Sequence, residues 1–193
     1  MALMGKDRCA VVTGANKGIG FEICKQLASN GVKVVLTSRD DKRGIDALEK
    51  FKGTHLSDLI IFHQLDVTDP NSVASLAQFV KNQFGKLDIL VNNCGIGGVV
   101  RDEEAFRASK PTGNETDINY NMGVLSTEDG AETPVKIALF PDGGPSGCFF
   151  DRDGVIYVNC GYYKRRLLVA FLLGKLIFNS SKTYTLLAMQ VKE

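Results

Sequence analysis

An α/β fold, with a parallel sheet covered by helices on both faces, is the class this sequence predicts. Three observations predict it. Between Arg8 and Asn93 short apolar runs alternate with segments of helical period. Those runs are apolar throughout rather than at every second residue, as strands buried on both faces are. The chain has 193 residues, 44% hydrophobic and 23% charged, which suits one domain with a sizeable core.

The elements follow in order. Cys9 to Thr13 is a short β-rich run ending in glycines. Ile19, Ile23 and Leu27 recur at i, i+4, i+8 on one face of a helix, closed by Asn30-Gly31. Val34 to Thr37 is the second strand, and Ile45 and Leu48 mark a second helix with Asp40 or Asp41 as its N-cap. Leu59 to Leu65 is the third strand. Asp69 as N-cap and Pro70 at the first helical position start a third helix. Its buried face is Val73, Leu76, Ala77, Val80 and Phe84, and Gly85 ends it. Leu87 to Asn92 is the fourth strand. After Gly95 the rhythm breaks. Residues 97–114 are polar and turn-rich, a helix over Glu128–Phe140 places Val135, Leu139 and Ala131 on one face with Pro134 near its start, and Pro141 to Pro145 is a turn cluster. Cys148 to Phe150 is a short apolar run and Val155 to Val158 a candidate strand.

The turn after the first strand reads Thr13-Gly14-Ala15-Asn16-Lys17-Gly18-Ile19-Gly20. A dinucleotide pyrophosphate needs such an arrangement. Gly14 lets the chain turn sharply, Gly18 removes a side chain where backbone must approach phosphate, and Gly20 lets the helix pack closely. The helix N-terminus then offers N–H groups and a positive dipole end to the anion. A glycine triad alone is weak evidence, because a tight β-α turn without a ligand also uses it. Here it follows a strand and opens an amphipathic helix, which is the confirming context. Asp66-Val67, at the end of the third strand, is placed to flank an adenine. Asn92-Asn93-Cys94-Gly95 ends the fourth strand, beside the point where a doubly wound sheet reverses direction and ligands bind. This is a three-layer Rossmann-type sheet, with strand order 3-2-1-4 expected.

Charge argues the cofactor. An NAD site would set Asp or Glu at the end of the second strand for the ribose 2′-hydroxyl. Ser38-Arg39 stands there, and Lys17 lies in the glycine turn. Two cations near the 2′ position suit a 2′-phosphate, hence NADP(H). The alternative is that both are solvated surface charges, and Asp40 beside Arg39 points the same way. The cofactor-binding set is therefore Gly14, Asn16, Lys17, Gly18, Ile19, Gly20, Arg39, Asp66, Val67, Asn93 and Gly95.

At these spacings the sequence resembles the short-chain dehydrogenase/reductase family, whose hallmarks are TGxxxGxG and NNAG. Cys94 stands at the alanine of the second motif. The runs VVTGANKGIG, VVLTSRD, FHQLDVTD and FGKLDILVNNCGIGG place it near the carbonyl-reductase-like branch, over about the first 108 residues. The resemblance implies NADP(H)-dependent oxidoreduction of a small-molecule ketone or secondary alcohol. It also implies a catalytic Tyr with Lys four positions on, one face of a helix, and a carbonyl-positioning Ser. An unperturbed tyrosine titrates near ~10 and needs a nearby cation to exchange a proton at neutral pH.

No such pair is present. Tyr120, Tyr157, Tyr163 and Tyr184 have Val124, Gly161, Leu167 and Ala188 four positions on, and Tyr162 has Arg166, which cannot act as a proton-exchanging lysine. No catalytic residue is assigned. Similarity resumes at about Thr116, so the segment with the family's central strands five and six and its catalytic residues is read as absent, the two flanks joining near Ser109 to Thr116. Residues 155–193 match nothing in the family, and carry 6 Lys+Arg against 1 Asp+Glu, where residues 1–154 carry 17 against 21. We expect a truncated NADP-binding domain over 1–154 and a divergent basic and apolar tail over 155–193. Two readings follow: an enzyme lineage whose chain has lost its catalytic groups, or a cofactor-binding, partner-interfering or non-functional splice or gene-model product.

Other classes find little support. A formal net charge of +1 gives no basic excess for nucleic acid. The five cysteines contain no Cys-x-x-Cys pair, which argues against a zinc site or disulfide framework and for reduced thiols in the cytoplasm. His55 and His63 lack partners at ligand spacing, so no metal is expected. The N-terminal run lacks a signal-peptide core, and no stretch reaches the ~18 apolar residues of a spanning helix. Lys164-Arg165-Arg166 and the apolar run Leu167 to Phe178, interrupted by Lys175, are read as a sheet-covering or poorly folded segment rather than one that binds a membrane. Oligomeric state is not legible.

Overall fold

The structure is a computed structural model that describes residues 8–95, 125–141, 149–151 and 154–156. Four parallel strands, β1 (Cys9–Val12), β2 (Lys33–Ser38), β3 (Ile60–Gln64) and β4 (Ile89–Val91), form one sheet in the order β3-β2-β1-β4. The strand order is the one expected from the sequence. β1 is in register with Lys33–Leu36 on one side and, over Ala10–Val12, with Ile89–Val91 on the other. β4 is the edge strand beyond β1, so the described sheet stops where a doubly wound fold would continue.

The apolar strands divide their side chains between two cores, because successive residues of a strand point to opposite faces. Ala10, Val12, Val34, Leu36, Ile60, Ile89 and Val91 face one helical layer; Cys9, Val11, Val35, Leu65 and Leu90 face the other. The first layer holds α1 (Gly18–Ser29), α2 (Asp41–Glu49) and α4 (Thr127–Ala138), and the second holds α3 (Pro70–Phe84). Three layers result, as expected.

Local sequence explains where the helices start and stop. Asp40 accepts the Arg43 N–H to cap α2 (2.8 Å), and Asp69 accepts the Asn71 N–H ahead of Pro70 to cap α3 (2.9 Å). Gly85 closes α3 with φ of 72°, a left-handed conformation that costs glycine little. α4 is capped by Ser126, which accepts the Asp129 N–H (3.1 Å). It lies along α1: Ala131, Val135 and Ala138 join the cluster of Ile23 and Leu27, Gln26 donates to the Glu128 carbonyl (3.0 Å), and Arg8 donates to the Ala138 carbonyl (2.9 Å).

Several elements depart from the sequence reading. Ile45 is 48% exposed, and the inner face of α2 is Gly44 and Ala47 with Leu48 beside them. The reason is Phe62 of β3, whose ring fills the space a Cβ on Gly44 would need, so the helix turns its smallest residue inward. Pro134 lies inside α4 on its buried face rather than near its start, and so offers no N–H to Gly130 four residues back. β1, β3 and β4 are shorter than the apolar runs that predict them, whereas β2 extends one residue further at each end than Val34 to Thr37. Residues Phe149–Asp151 (β5) and Gly154–Ile156 (β6) pair antiparallel with one another. The pairing crosses the compositional boundary at 154/155 and takes in the start of the candidate strand Val155 to Val158. The polar segment 97–114, most of the Pro141–Pro145 turn, Tyr157 and Val158, the Tyr162–Arg166 pair and the run Leu167 to Phe178 lie outside the described residues.

Candidate cofactor site

Every described residue of the expected set stands at a carboxyl end of a parallel strand, along one edge of the sheet. Gly14, Asn16, Lys17, Gly18, Ile19 and Gly20 follow β1; Arg39 follows β2; Asp66 and Val67 follow β3; Asn93 and Gly95 follow β4. The loops after parallel strands converge there, which is why the edge suits an extended ligand.

The glycine turn is stitched to both neighbouring strands. The Ala15 N–H donates to the Thr37 carbonyl (2.8 Å), and the Thr37 hydroxyl donates to the Val12 carbonyl (2.9 Å). On the β4 side the Thr13 hydroxyl accepts from the backbone N–H groups of Asn93 (2.9 Å) and Cys94 (3.0 Å), while the Thr13 N–H donates to the Val91 carbonyl (2.9 Å). The Asn93 carboxamide donates to the carbonyls of Thr13 (3.0 Å) and Gly14 (3.1 Å). Asn93 thus shapes the turn, and Thr13 and Thr37 are its counterparts. Neither threonine carries a composition or periodicity signal as a site residue; only the TGxxxGxG resemblance marks Thr13.

The three glycines have separate physical reasons. Gly14 has φ of 62°, and a Cβ there would lie 2.7 Å from the Cβ of Cys94. Gly20 packs so closely on Asn93 that a Cβ would overlap the Asn93 amide nitrogen, and it would sit 3.0 Å from the Gly14 carbonyl oxygen. Its role is therefore to admit Asn93 as well as to let α1 approach. Gly18 has φ of 60° and nothing within 4 Å of a Cβ position.

Those facts test whether the residues present fit a dinucleotide, and they do. The space over Gly18 is open, α1 carries no side-chain cap and no acidic residue in its first turn, and the turn below is fixed by the bonds just described. An anionic group can approach the helix N-terminus along that line. Lys17 and Arg39 are both exposed, whereas Ile19 packs partly into the core. The Asp66 carboxylate accepts from the Thr68 hydroxyl (2.7 Å) and N–H (2.9 Å). Those bonds, with a smaller contribution from Arg39, hold its carboxyl below the usual range. Val67 beside it is 36% exposed, an apolar surface of the kind an adenine ring covers.

Cys9 and Cys24 are buried free thiols, Cys94 is an exposed one, and burial, followed by the nearby Asp88 carboxylate, pushes Cys9 up to about 12. His63 lies on the ring of Phe79, centroids 4.8 Å apart, a packing role; His55 is an exposed loop residue. Among the described residues one amide nitrogen, Nδ2 of Asn92 at the end of β4, is buried with no hydrogen-bond partner.

The family model of short chain dehydrogenase matches residues 8–129. A (+)-neomenthol dehydrogenase of Arabidopsis thaliana is 67% identical over 135 residues, 69% of this chain and 45% of that protein. Carbonyl reductase (NADPH) 3 of Mus musculus is 45% identical over 142 residues, 73% of this chain and 47% of that protein. The solved structure of salutaridine reductase from Papaver somniferum is 61% identical, covers 52% of this chain and 34% of that one, and has a TM-score of 0.47. The chain spans less than half the length of these relatives.

Proposed function

We propose, from the premise that this chain belongs to the short-chain dehydrogenase family, that it binds NADP(H) at the carboxyl edge of its sheet and does not itself reduce a carbonyl. The observation that carries the binding half is the cradle: a fixed turn, open space over Gly18 and an α1 N-terminus without a side-chain cap, flanked by Lys17 and Arg39. Gly14, Asn16, Lys17, Gly18, Ile19 and Gly20 would hold the pyrophosphate. Lys17 and Arg39 would pair with the 2′-phosphate, Asp66 and Val67 would flank the adenine, and Asn93 and Gly95 would border the path toward the nicotinamide. The preference for NADP(H) draws further support from the NADPH in the name of the mouse relative.

The lineage chemistry is hydride exchange between nicotinamide and a ketone or secondary alcohol. It needs a proton donor at the carbonyl oxygen, and none of the five tyrosines has a lysine four residues on. Positioned acid–base catalysis is typically worth ~10²–10⁴-fold, and a missing serine also removes stabilisation of the developing oxyanion. The internal segment that bears these groups in the family is read as absent. Among the described residues β4 is an edge strand and the Asn92 amide nitrogen has no partner, which supports this reading. On this reading residues 1–154 form a truncated cofactor-binding domain and 155–193 a divergent tail, and the free thiols suit the cytoplasm.

The test follows NADPH absorbance with a panel of ketones and quinones, for the wild type and for Tyr162→Phe. No turnover in either is expected. Turnover abolished by the substitution would mean that Tyr162 serves as the acid, and turnover unaffected by it would leave an active enzyme with another acid; either result overturns the inactive reading.

A further inference from the structure

We propose that Gln64, the last residue of β3, is a positioning residue that sets the preference for a 2′-phosphorylated cofactor by fixing the backbone of Arg39. The inference rests on the reading of Arg39 and Lys17 as the 2′-phosphate site. Three hydrogen bonds carry it. Gln64 Nε2 donates to the Arg39 carbonyl (3.2 Å), and Gln64 Oε1 accepts from the Ser72 hydroxyl (2.9 Å). The Ser72 oxygen in turn accepts from the Asp66 N–H (2.9 Å).

One carboxamide thereby joins the loops on both sides of the adenosine end, the Arg39 loop after β2 and the Asp66 loop after β3. The backbone ladder between the strands ends one step earlier, where the Leu65 N–H donates to the Ser38 carbonyl (2.9 Å). Beyond that rung the chain leaves the sheet and enters α2 at Asp40. The bond from Gln64 fixes the peptide plane between Arg39 and Asp40, and with it the direction from which the Arg39 side chain departs. Ser72 fixes Gln64 in turn: a hydroxyl donating to Oε1 leaves Nε2 as the atom that faces Arg39. A residue with only apolar atoms at position 64 would fill the same space and leave the strand register with Ser38 intact, but it could not hold the carbonyl.

The sequence alone does not mark Gln64. A glutamine at a strand end carries no periodicity, and its two partners lie 25 and 8 residues away.

The experiment is calorimetric titration of the full chain with adenosine 2′,5′-bisphosphate and with 5′-AMP, which differ only in the 2′-phosphate. Wild type, Gln64→Met, Ser72→Ala and Arg39→Ala are compared. Gln64→Met is expected to weaken the bisphosphate by about three- to tenfold, the scale of one hydrogen bond, and to leave 5′-AMP unchanged. Ser72→Ala also frees the Asp66 N–H, so it is expected to weaken both ligands but the bisphosphate more, and that change in ratio supplies the reading if Gln64→Met fails to fold. Equal weakening of both ligands would show a merely structural role and overturn the proposal. An unchanged ratio in Gln64→Met, with the ratio collapsed in Arg39→Ala, would overturn it while leaving the 2′-phosphate reading intact. A wild type that does not distinguish the two ligands would remove that reading and this inference together.

Discussion

Replacing Gly20 by alanine is expected to unseat Asn93 and loosen the whole turn. The added Cβ overlaps the Asn93 amide nitrogen and lies 3.0 Å from both the Ala15 Cα and the Gly14 carbonyl oxygen. Two of these neighbours are backbone and cannot swing aside. The carboxamide must therefore move off the Thr13 and Gly14 carbonyls, which it holds at 3.0 and 3.1 Å. Two hydrogen bonds at ~1 kcal/mol each and overpacking strain of ~1–3 kcal/mol sum to roughly 3–5 kcal/mol. For a chain of this size each kcal/mol moves the melting midpoint by about 2–4 °C, so a fall on the order of 10 °C is expected by calorimetry or circular dichroism. Gly18→Ala is the contrasting variant. Its Cβ meets nothing, so only the positive φ is strained, at ~1–2 kcal/mol, yet it places a methyl group where a phosphate would approach. It is expected to melt within a few degrees of wild type and to lose most NADPH affinity. A Gly20→Ala protein that melts with the wild type would refute the account of the turn, and a Gly18→Ala protein that binds NADPH normally would refute the account of the cradle.

Three further outcomes are expected. Arg39→Ala should remove about 1–3 kcal/mol of the preference for NADPH over NADH, the range of a hydrogen bond to a charged group, as read by competition binding. Truncation after Ile156 keeps the β5–β6 hairpin but removes the apolar run Leu167 to Phe178, which is read as covering the edge of β4; lower solubility in sedimentation is expected, and a truncated chain that stays monodisperse with an unchanged midpoint would show that the run covers nothing. The Cys9 thiol is raised from 9.0 to about 12 by burial and by Asp88. Since the folded value lies above the unfolded one, its contribution is complete below pH ~9 and is lost as pH rises toward ~12, a loss of up to about 4 kcal/mol; Cys9→Ala should flatten that alkaline limb, and an equally steep limb in the variant would count against the burial argument.

How far the fold was legible depended on the range of the signal. β1, α1 and the glycine turn were legible because the cause is local: an apolar run, a period of four on Ile19, Ile23 and Leu27, and glycines at fixed offsets. The caps at Asp40, Asp69 and Gly85 were legible for the same reason. The exposure of Ile45 is not legible because the deciding contact is non-local: the Phe62 ring of β3, on the same face of the sheet, selects Gly44 as the inward residue. Pro134 was expected near a helix start, where its missing N–H has no consequence, yet α4 runs through it because Ala131, Val135 and Ala138 bury against α1. The site divides in the same way. Its glycines and its two cations are adjacent in sequence to strand ends, so position alone selects them. The bonds that give them shape, from Asn93 to Thr13 and Gly14 across about 80 residues and from Gln64 to Arg39, join segments that only the sheet brings together.

The central claim is that the carboxyl edge of this sheet is an NADP(H) site, and titration calorimetry of the full chain with NADPH and with NADH tests it most directly. The account predicts saturable binding of both, with NADPH tighter by about tenfold or more, as charged hydrogen bonds to a 2′-phosphate at Lys17 and Arg39 require. No heat of binding for NADPH, or NADH bound as tightly as NADPH or more so, would contradict it.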